Sequence, residues 1–223
     1  HYLKLRSYNM KTAVIVGCLG QDGRILNDYL ISKNYKVIGI DANYHQSSFE
    51  DLKDVRNISD KEQVSHLVRT IQPSKIFYLA AFHNSSEDKI NISDSDLLQK
   101  SFNINVESLV YFLESILEYS PQTKLFYASS SHIFGDIERE YDDEDSYINP
   151  VSMYGISKAA GMFACRHYRN KYSLFTSCGI FYNHESTYRT SNYLSKKIIR
   201  GAINIRNNIQ DTLVLGDLSA AVD

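Results

Sequence analysis

A tyrosine and a lysine four positions apart carry the clearest chemical signal in the sequence. Tyr154 and Lys158 stand at i and i+4, so on a helix their side chains share one face, about 5–6 Å apart at Cβ. An ammonium group at that distance, together with a positively charged nicotinamide, is expected to lower the pKa of the phenol, and a phenolate can take a proton from an alcohol. Ser129 and Ser130 belong to a serine-rich turn that ends the preceding strand, where a hydroxyl can hydrogen-bond the same substrate oxygen. The combination predicts hydride transfer at an alcohol carbon.

A glycine-rich segment is the second signal. The run GCLGQDG, residues 17–23, follows an apolar strand and opens a helix. Glycines there let the chain turn tightly and let backbone N–H groups approach a pyrophosphate at the helix N-terminus. The predicted cofactor contacts of this loop are Gly17, Gly20, Gln21, Asp22 and Gly23.

The residue that ends the second strand predicts which dinucleotide is bound. Asp41 offers a carboxylate to the adenosine ribose hydroxyls and would repel a 2′-phosphate, which favours NAD over NADP. Asp54 and Val55, farther along the same connection, are predicted to face the adenine.

Strands alternate with helices along the chain, which positions these residues. We predict a Rossmann-type, doubly wound parallel sheet with helices on both faces, and a ligand site beyond the carboxyl ends of the strands. Asp60 is the predicted N-cap of the second helix. The predicted strands are 12–16, 36–40, 75–80, 124–129 and 174–180, and the predicted helices are 22–33, 60–72, 96–118, 151–171 and 191–205.

The composition excludes several classes of partner. The chain has 223 residues, of which 43% are hydrophobic, and a net charge of −2, so neither nucleic acid nor an anionic membrane is expected to bind. The three cysteines lack the spacing of metal ligands; we expect reduced thiols in a cytoplasmic protein and no metal site. Residues 1–9 are expected to be a tag remnant or a short N-terminal arm, and residues 10–180 the dinucleotide-binding domain.

The glycine loop, the serine turn and the Tyr154–Lys158 pair resemble those of the extended short-chain dehydrogenases/reductases. Within that class, GQDG at residues 20–23 and GIFYNHES at 179–186 are similar to segments of the GDP-mannose 4,6-dehydratase family. The resemblance runs from about residue 12 to residue 223. It implies that residues 181–223 begin a nucleotide-sugar-binding region of which this chain holds only the start.

The resemblance also implies roles for individual residues. Ser130 matches a catalytic threonine, Tyr154 the base, and Lys158 the lysine that holds the cofactor ribose. The implied substrate contacts are Ser130, Asn183, Glu185 and Lys197. The implied further cofactor contacts are Leu79, Ala80, Ala81, Ser129 and Asn105.

The sequence departs from the family pattern at three places. His132 stands where the family has its catalytic glutamate. Asp41, Ala42 and Asn43 replace the arginines of members that bind NADP, and the segment ending at Arg189 has one arginine fewer than the family.

These observations leave three functions open. The first is a 4,6-dehydratase of a GDP-mannose-like nucleotide sugar, in which His132 takes the place of the glutamate. The alternative is a 4-epimerase or 4-reductase of the same substrate class, which needs no base at C5. The third is a non-catalytic protein that binds NAD. A homo-oligomer, dimer or tetramer, is expected in each case.

Overall fold

The computed structural model describes residues 10–42, 57–83, 92–135, 143–190 and 193–215. Five parallel strands form one sheet in the order β2-β1-β3-β4-β5. Every predicted strand is present, with bounds that differ from the prediction by at most two residues. Residues 1–9, Asn43, Asp54 and Val55 lie outside the described residues. The strands are β1 (Thr12–Val16), β2 (Lys36–Ile40), β3 (Lys75–Tyr78), β4 (Lys124–Ser130) and β5 (Thr176–Phe181).

The helices follow the strands as predicted, with one difference. The single helix predicted over residues 96–118 is two helices, separated by a π-helical turn at Asn103–Glu107. In the described ranges, no helix is both long and apolar enough to cross a bilayer. The helices are α1 (Gln21–Ser32), α2 (Lys61–Ile71), α3 (Asp94–Phe102), α4 (Ser108–Tyr119), α5 (Met153–Tyr172) and α6 (Leu194–Arg206).

Local capping sets the helix ends. The Asp60 side chain accepts hydrogen bonds from the backbone N–H groups of Glu62 and Gln63, which confirms it as an N-cap. Ser152 caps α5 through the N–H of Gly155 at 3.0 Å, so the helix begins at Met153 rather than at 151. At the other end Ser173 is left-handed, with φ 59°, and β5 therefore begins at Thr176 rather than at 174.

Side chains of β1 alternate between two cores, which confirms helices on both faces of the sheet. Val14 and Val16 belong to the larger core, formed with α2, α4 and α5. Ile15 packs on the opposite face against Leu30 of α1. Tyr29 of α1 is 57% exposed, and the buried residues of this helix are Gly23 and Leu30.

Candidate active site

A cleft of about 580 Å³ lies at the carboxyl ends of β1, β2 and β3. The sheet order reverses between β1 and β3, and ligands of doubly wound sheets bind at such a point. Eight predicted cofactor contacts line it: Gly17, Gly20, Gln21, Asp22, Asp41, Leu79, Ala80 and Ala81. Ile104, Arg189 and Tyr193 also line it and were not predicted.

The glycine loop needs its glycines for two reasons. Gly17 has φ +90°, and a Cβ there would lie 2.7 Å from the backbone nitrogen of Ala80. A Cβ on Gly23 would lie 2.3 Å from the Gly17 carbonyl oxygen. The N-cap of α1 is Gly20, which has no side chain to accept the first N–H groups of the helix. The helix N-terminus thus remains available to an anion such as a pyrophosphate.

Asp41 joins the end of β2 to the glycine loop. Its Oδ2 accepts a hydrogen bond from the backbone N–H of Leu19 at 3.1 Å, which holds the carboxylate at the cleft wall. Burial and the charge of Asp41 raise the pKa of the Cys18 thiol to about 11. Asp41 therefore places one carboxylate at the wall of the cleft, beside a thiol that stays uncharged.

Two buried polar groups near the end of β4 also fit a dinucleotide. Ser129 Oγ is buried and has no hydrogen-bond partner among the described residues. Lys158 is 1% exposed, and its Nζ donates to the Ala128 carbonyl at 2.8 Å. Both groups retain hydrogen-bonding capacity that a bound cofactor's amide or ribose hydroxyls can use.

The Tyr154–Lys158 pair forms as predicted, but its electrostatics differ from the prediction. The Lys158 ammonium lies 5.6 Å from the centre of the Tyr154 ring. Burial raises the pKa of Tyr154, and the neighbouring Ser130 hydroxyl only partly opposes this. Burial likewise lowers the pKa of Lys158 to about 7. Because the buried lysine is itself poorly able to keep its charge, it does not lower the tyrosine pKa on its own. The part of the prediction that depends on a positively charged nicotinamide stays a prediction.

Two histidines flank Tyr154. The His132 ring lies 5.6 Å from the Tyr154 ring, centre to centre, and its backbone N–H donates to Ser130 Oγ at 3.3 Å. The His83 ring is closer to Tyr154, at 4.6 Å. Sequence reasoning missed His83, although it follows β3 at the same edge of the sheet, where ligand-binding residues are expected.

Asn105 does not line the cleft as predicted. It connects two elements of the site, the loop after β3 and α5, through buried hydrogen bonds. It is fully buried in the π-helical turn. Its side chain accepts from the N–H of Phe82 at 2.9 Å, donates to the Phe82 carbonyl at 3.3 Å, and donates to Ser157 Oγ at 2.8 Å. The π turn thus gives a buried amide three partners on the loop after β3 and on α5.

The segment that follows β5 contacts the glycine loop directly. Gln21 Nε2 donates to the His184 carbonyl at 3.2 Å, and Ser186 Oγ donates to Gln21 Oε1 at 2.8 Å. His184 Nε2 lies 2.8 Å from Asp22 Oδ1. Residues 20–23 and 179–186, the two segments that resemble one family in sequence, therefore contact each other in the structure.

The predicted substrate contacts lie at the outer end of this segment. Asn183 is exposed. Glu185 Oε2 accepts a hydrogen bond from Ser195 Oγ at 2.6 Å and lies 3.6 Å from Arg189 Nε. Lys197 is half-buried in the first turn of α6. Glu185 thus connects the loop after β5 to α6.

Solved structures share this fold. The chain superposes on dTDP-glucose 4,6-dehydratase from Bacillus anthracis in complex with NAD with a TM-score of 0.69 and 20% identity, covering 87% of this chain and 62% of that one. For Thermus thermophilus UDP-glucose 4-epimerase in complex with NAD, the TM-score is 0.70 and the identity 21%, covering 88% and 63%. With the tyrosine–lysine pair on α5, this is the fold of the NAD-dependent epimerase/dehydratase class of short-chain dehydrogenases.

The sequence comparisons define the family more closely. Residues 14–223 match the family described as GDP-mannose 4,6 dehydratase, and the chain belongs to that family. It is 28% identical to GDP-mannose 4,6 dehydratase 2 of Caenorhabditis elegans over 96% of this chain and 59% of that protein. For the GDP-mannose 4,6-dehydratase of Vibrio cholerae the identity is 27%, over 96% and 61%. The chain thus spans about three fifths of the length of these relatives.

Proposed function

We propose that this protein is a 4,6-dehydratase of a GDP-mannose-like nucleotide sugar that uses NAD. The observation that carries the proposal is the contact between His132 and Tyr154, with ring centres 5.6 Å apart. It places an imidazole, a side chain that can act as a general base, beside the tyrosine that takes the proton of the sugar hydroxyl. The family membership of the chain supports the same substrate class.

The cofactor-holding residues follow from the cleft. Asp41 would accept hydrogen bonds from the adenosine ribose hydroxyls. The backbone N–H groups at the N-terminus of α1 would donate to the pyrophosphate, and Lys158 would donate to the nicotinamide ribose. NAD, when bound, supplies the hydride acceptor at C4 and the hydride donor at C6. Its positive nicotinamide also favours the phenolate form of Tyr154, which burial alone disfavours.

The acid–base steps belong to the protein. Tyr154 takes the proton of the C4 hydroxyl, and Ser130 hydrogen-bonds the same oxygen as it becomes a ketone. The ketone acidifies the hydrogen at C5, and His132 removes it as a neutral imidazole. His132 later returns that proton to C5 when hydride reaches C6.

A second candidate is favoured by one observation, the histidine at position 132 in place of the family's glutamate. A 4-epimerase or 4-reductase needs Ser130, Tyr154 and Lys158 and has no step at C5. In that case His132 would only line the pocket and would transfer no proton.

The His132→Asn variant separates these functions. With GDP-mannose as the probe, we expect the 4-keto-6-deoxy product to fall by about 10²–10⁴-fold, while the reduced cofactor accumulates because C4 oxidation precedes the blocked step. The matched control is His167→Asn, an exposed histidine of α5, which should behave as the unaltered protein. Product formation by His132→Asn at an undiminished rate would refute the role of His132.

We further infer that residues 10–180 bind the dinucleotide and that the segment after residue 180 contributes to the sugar side of the site. The contacts of Gln21 and Asp22 with that segment support this division. Assembly into a dimer or tetramer and a cytoplasmic location remain predictions from the sequence.

A further inference from the structure

His83 lies in the reactive centre but has no role in the reaction described so far. Its ring centre is 4.6 Å from that of Tyr154 and 6.3 Å from that of His132, and both ring pairs are nearly perpendicular. Both histidines are exposed, whereas Tyr154 is half-buried. The two imidazoles therefore face the open side of the site, where a sugar would lie against the phenol.

The position of His83 is fixed by buried hydrogen bonds. Asn105 binds both backbone polar groups of Phe82, the residue directly before His83, and also binds Ser157. Ser157 Oγ in turn donates to the Tyr154 carbonyl at 2.8 Å. The loop after β3 is thus attached to the turn of α5 that carries Tyr154, and a buried amide with three partners keeps the two together.

The proton balance of a 4,6-elimination calls for one more acid. Tyr154 gains the proton of the C4 hydroxyl. The C5–H bond breaks, its electron pair forms the C5=C6 bond, and the C6–O bond breaks. The hydride that left C4 ends on C6, and the proton taken by His132 returns to C5. At the end Tyr154 holds one extra proton, and the departing hydroxyl has needed one to leave as water.

We propose that His83 carries this proton. Protonated His83 donates it to the departing C6 hydroxyl, so that its N–H bond breaks as an O–H bond of water forms. Neutral His83 then accepts the proton that Tyr154 took from C4, which regenerates both groups. This inference rests on the proposed dehydratase function and divides the elimination between two histidines, with His132 as the base at C5 and His83 as the acid at C6.

The His83→Gln variant, incubated with GDP-mannose in D₂O, tests the division. We expect the 4-keto-6-deoxy product to form about 10²-fold more slowly. The recovered GDP-mannose should nevertheless carry deuterium at C5, because His132 still exchanges the C5 hydrogen of the ketone before the hydride returns to C4. His167→Gln is the matched control and should match the unaltered protein in both measurements.

The outcomes separate the two proposals. Product formation by His83→Gln at the unaltered rate would overturn the role of His83. Loss of both product and C5 exchange would also overturn it, because His83 would then act on C4 oxidation instead of on the leaving group. If the unaltered protein converts GDP-mannose without loss of water, the proposed function itself fails, whatever the variant does.

Discussion

At the residue scale, burial controls the charge state of the site more strongly than the spacing of its side chains. The sequence correctly placed Tyr154 and Lys158 on one face of a helix. It did not reveal that Lys158 would be fully buried with the Ala128 carbonyl as its acceptor. Desolvation disfavours the charged form of both groups, so a proton-accepting tyrosine requires positive charge from a bound cofactor.

Asp41 is the residue expected to select the cofactor. We predict that NAD(H) binds at least about ten-fold more tightly than NADP(H), because the Asp41 carboxylate would repel the 2′-phosphate of NADP(H). That ratio corresponds to about 1.4 kcal/mol. Asp41→Asn retains an oxygen that can accept from the Leu19 N–H but removes the negative charge. This variant should therefore show a smaller ratio of NAD(H) affinity to NADP(H) affinity. Calorimetric titration with both cofactors measures it, and equal affinities for the unaltered protein would exclude this role of Asp41.

At the element scale, the loop after β5 is joined to the first turn of α1. Gln21 and Asp22 line the cleft and also contact the His184–Ser186 segment. Under the proposed function, the cofactor and the substrate sides would share these two residues. A displacement of the His184–Ser186 segment would therefore also move Gln21 and Asp22, which line the cleft.

The His184–Asp22 pair makes this junction sensitive to pH. Burial lowers the pKa of His184, but the Tyr182 carbonyl and the Asp22 carboxylate more than offset it, and the net direction is upward from 6.5. A raised pKa means that the pair stabilises the fold fully below pH 6.5 and loses that contribution as pH rises through the folded-state pKa. In a histidine NMR titration, we expect Asp22→Asn to lower the pKa of His184. An unchanged His184 titration would show that the pair does not form in solution.

The elements were more predictable than the contacts between them. Strand positions followed from short apolar runs and from β-rich composition, which depend on local sequence. The π turn at Asn103–Glu107 could not be predicted in this way, because the chain stays helical through it. It exists to direct Asn105 at Phe82 and Ser157, which are distant in sequence. His83 was missed for the same reason, since its importance comes only from its contact with Tyr154.

At the scale of the whole molecule, a single buried lysine gives the stability a predicted dependence on pH. The pKa of Lys158 is about 7 in the folded protein, against an ordinary value of 10.5. The unfolded chain therefore binds more protons between these values, and stability should rise with pH across that window. Between pH 7 and pH 9 the gain from this group is at most about 2 kcal/mol.

Denaturant unfolding without added cofactor at pH 7 and pH 9 tests this dependence. Lys158→Met removes the buried charge while keeping a side chain of similar length, so the difference between the two pH values should be smaller in the variant. An identical pH dependence in both proteins would mean that Lys158 keeps an ordinary pKa in the folded state.

The central claim, that this protein eliminates water across C5 and C6 of a nucleotide sugar, is tested most directly by one labelling measurement. The unaltered protein is incubated with GDP-mannose and NAD in D₂O, and the product is analysed by NMR and mass spectrometry. We expect a 4-keto-6-deoxy sugar with deuterium at C5, because His132 exchanges its proton with solvent before returning it. A C4-inverted or C4-reduced sugar that keeps its C6 hydroxyl and carries no deuterium at C5 would contradict it.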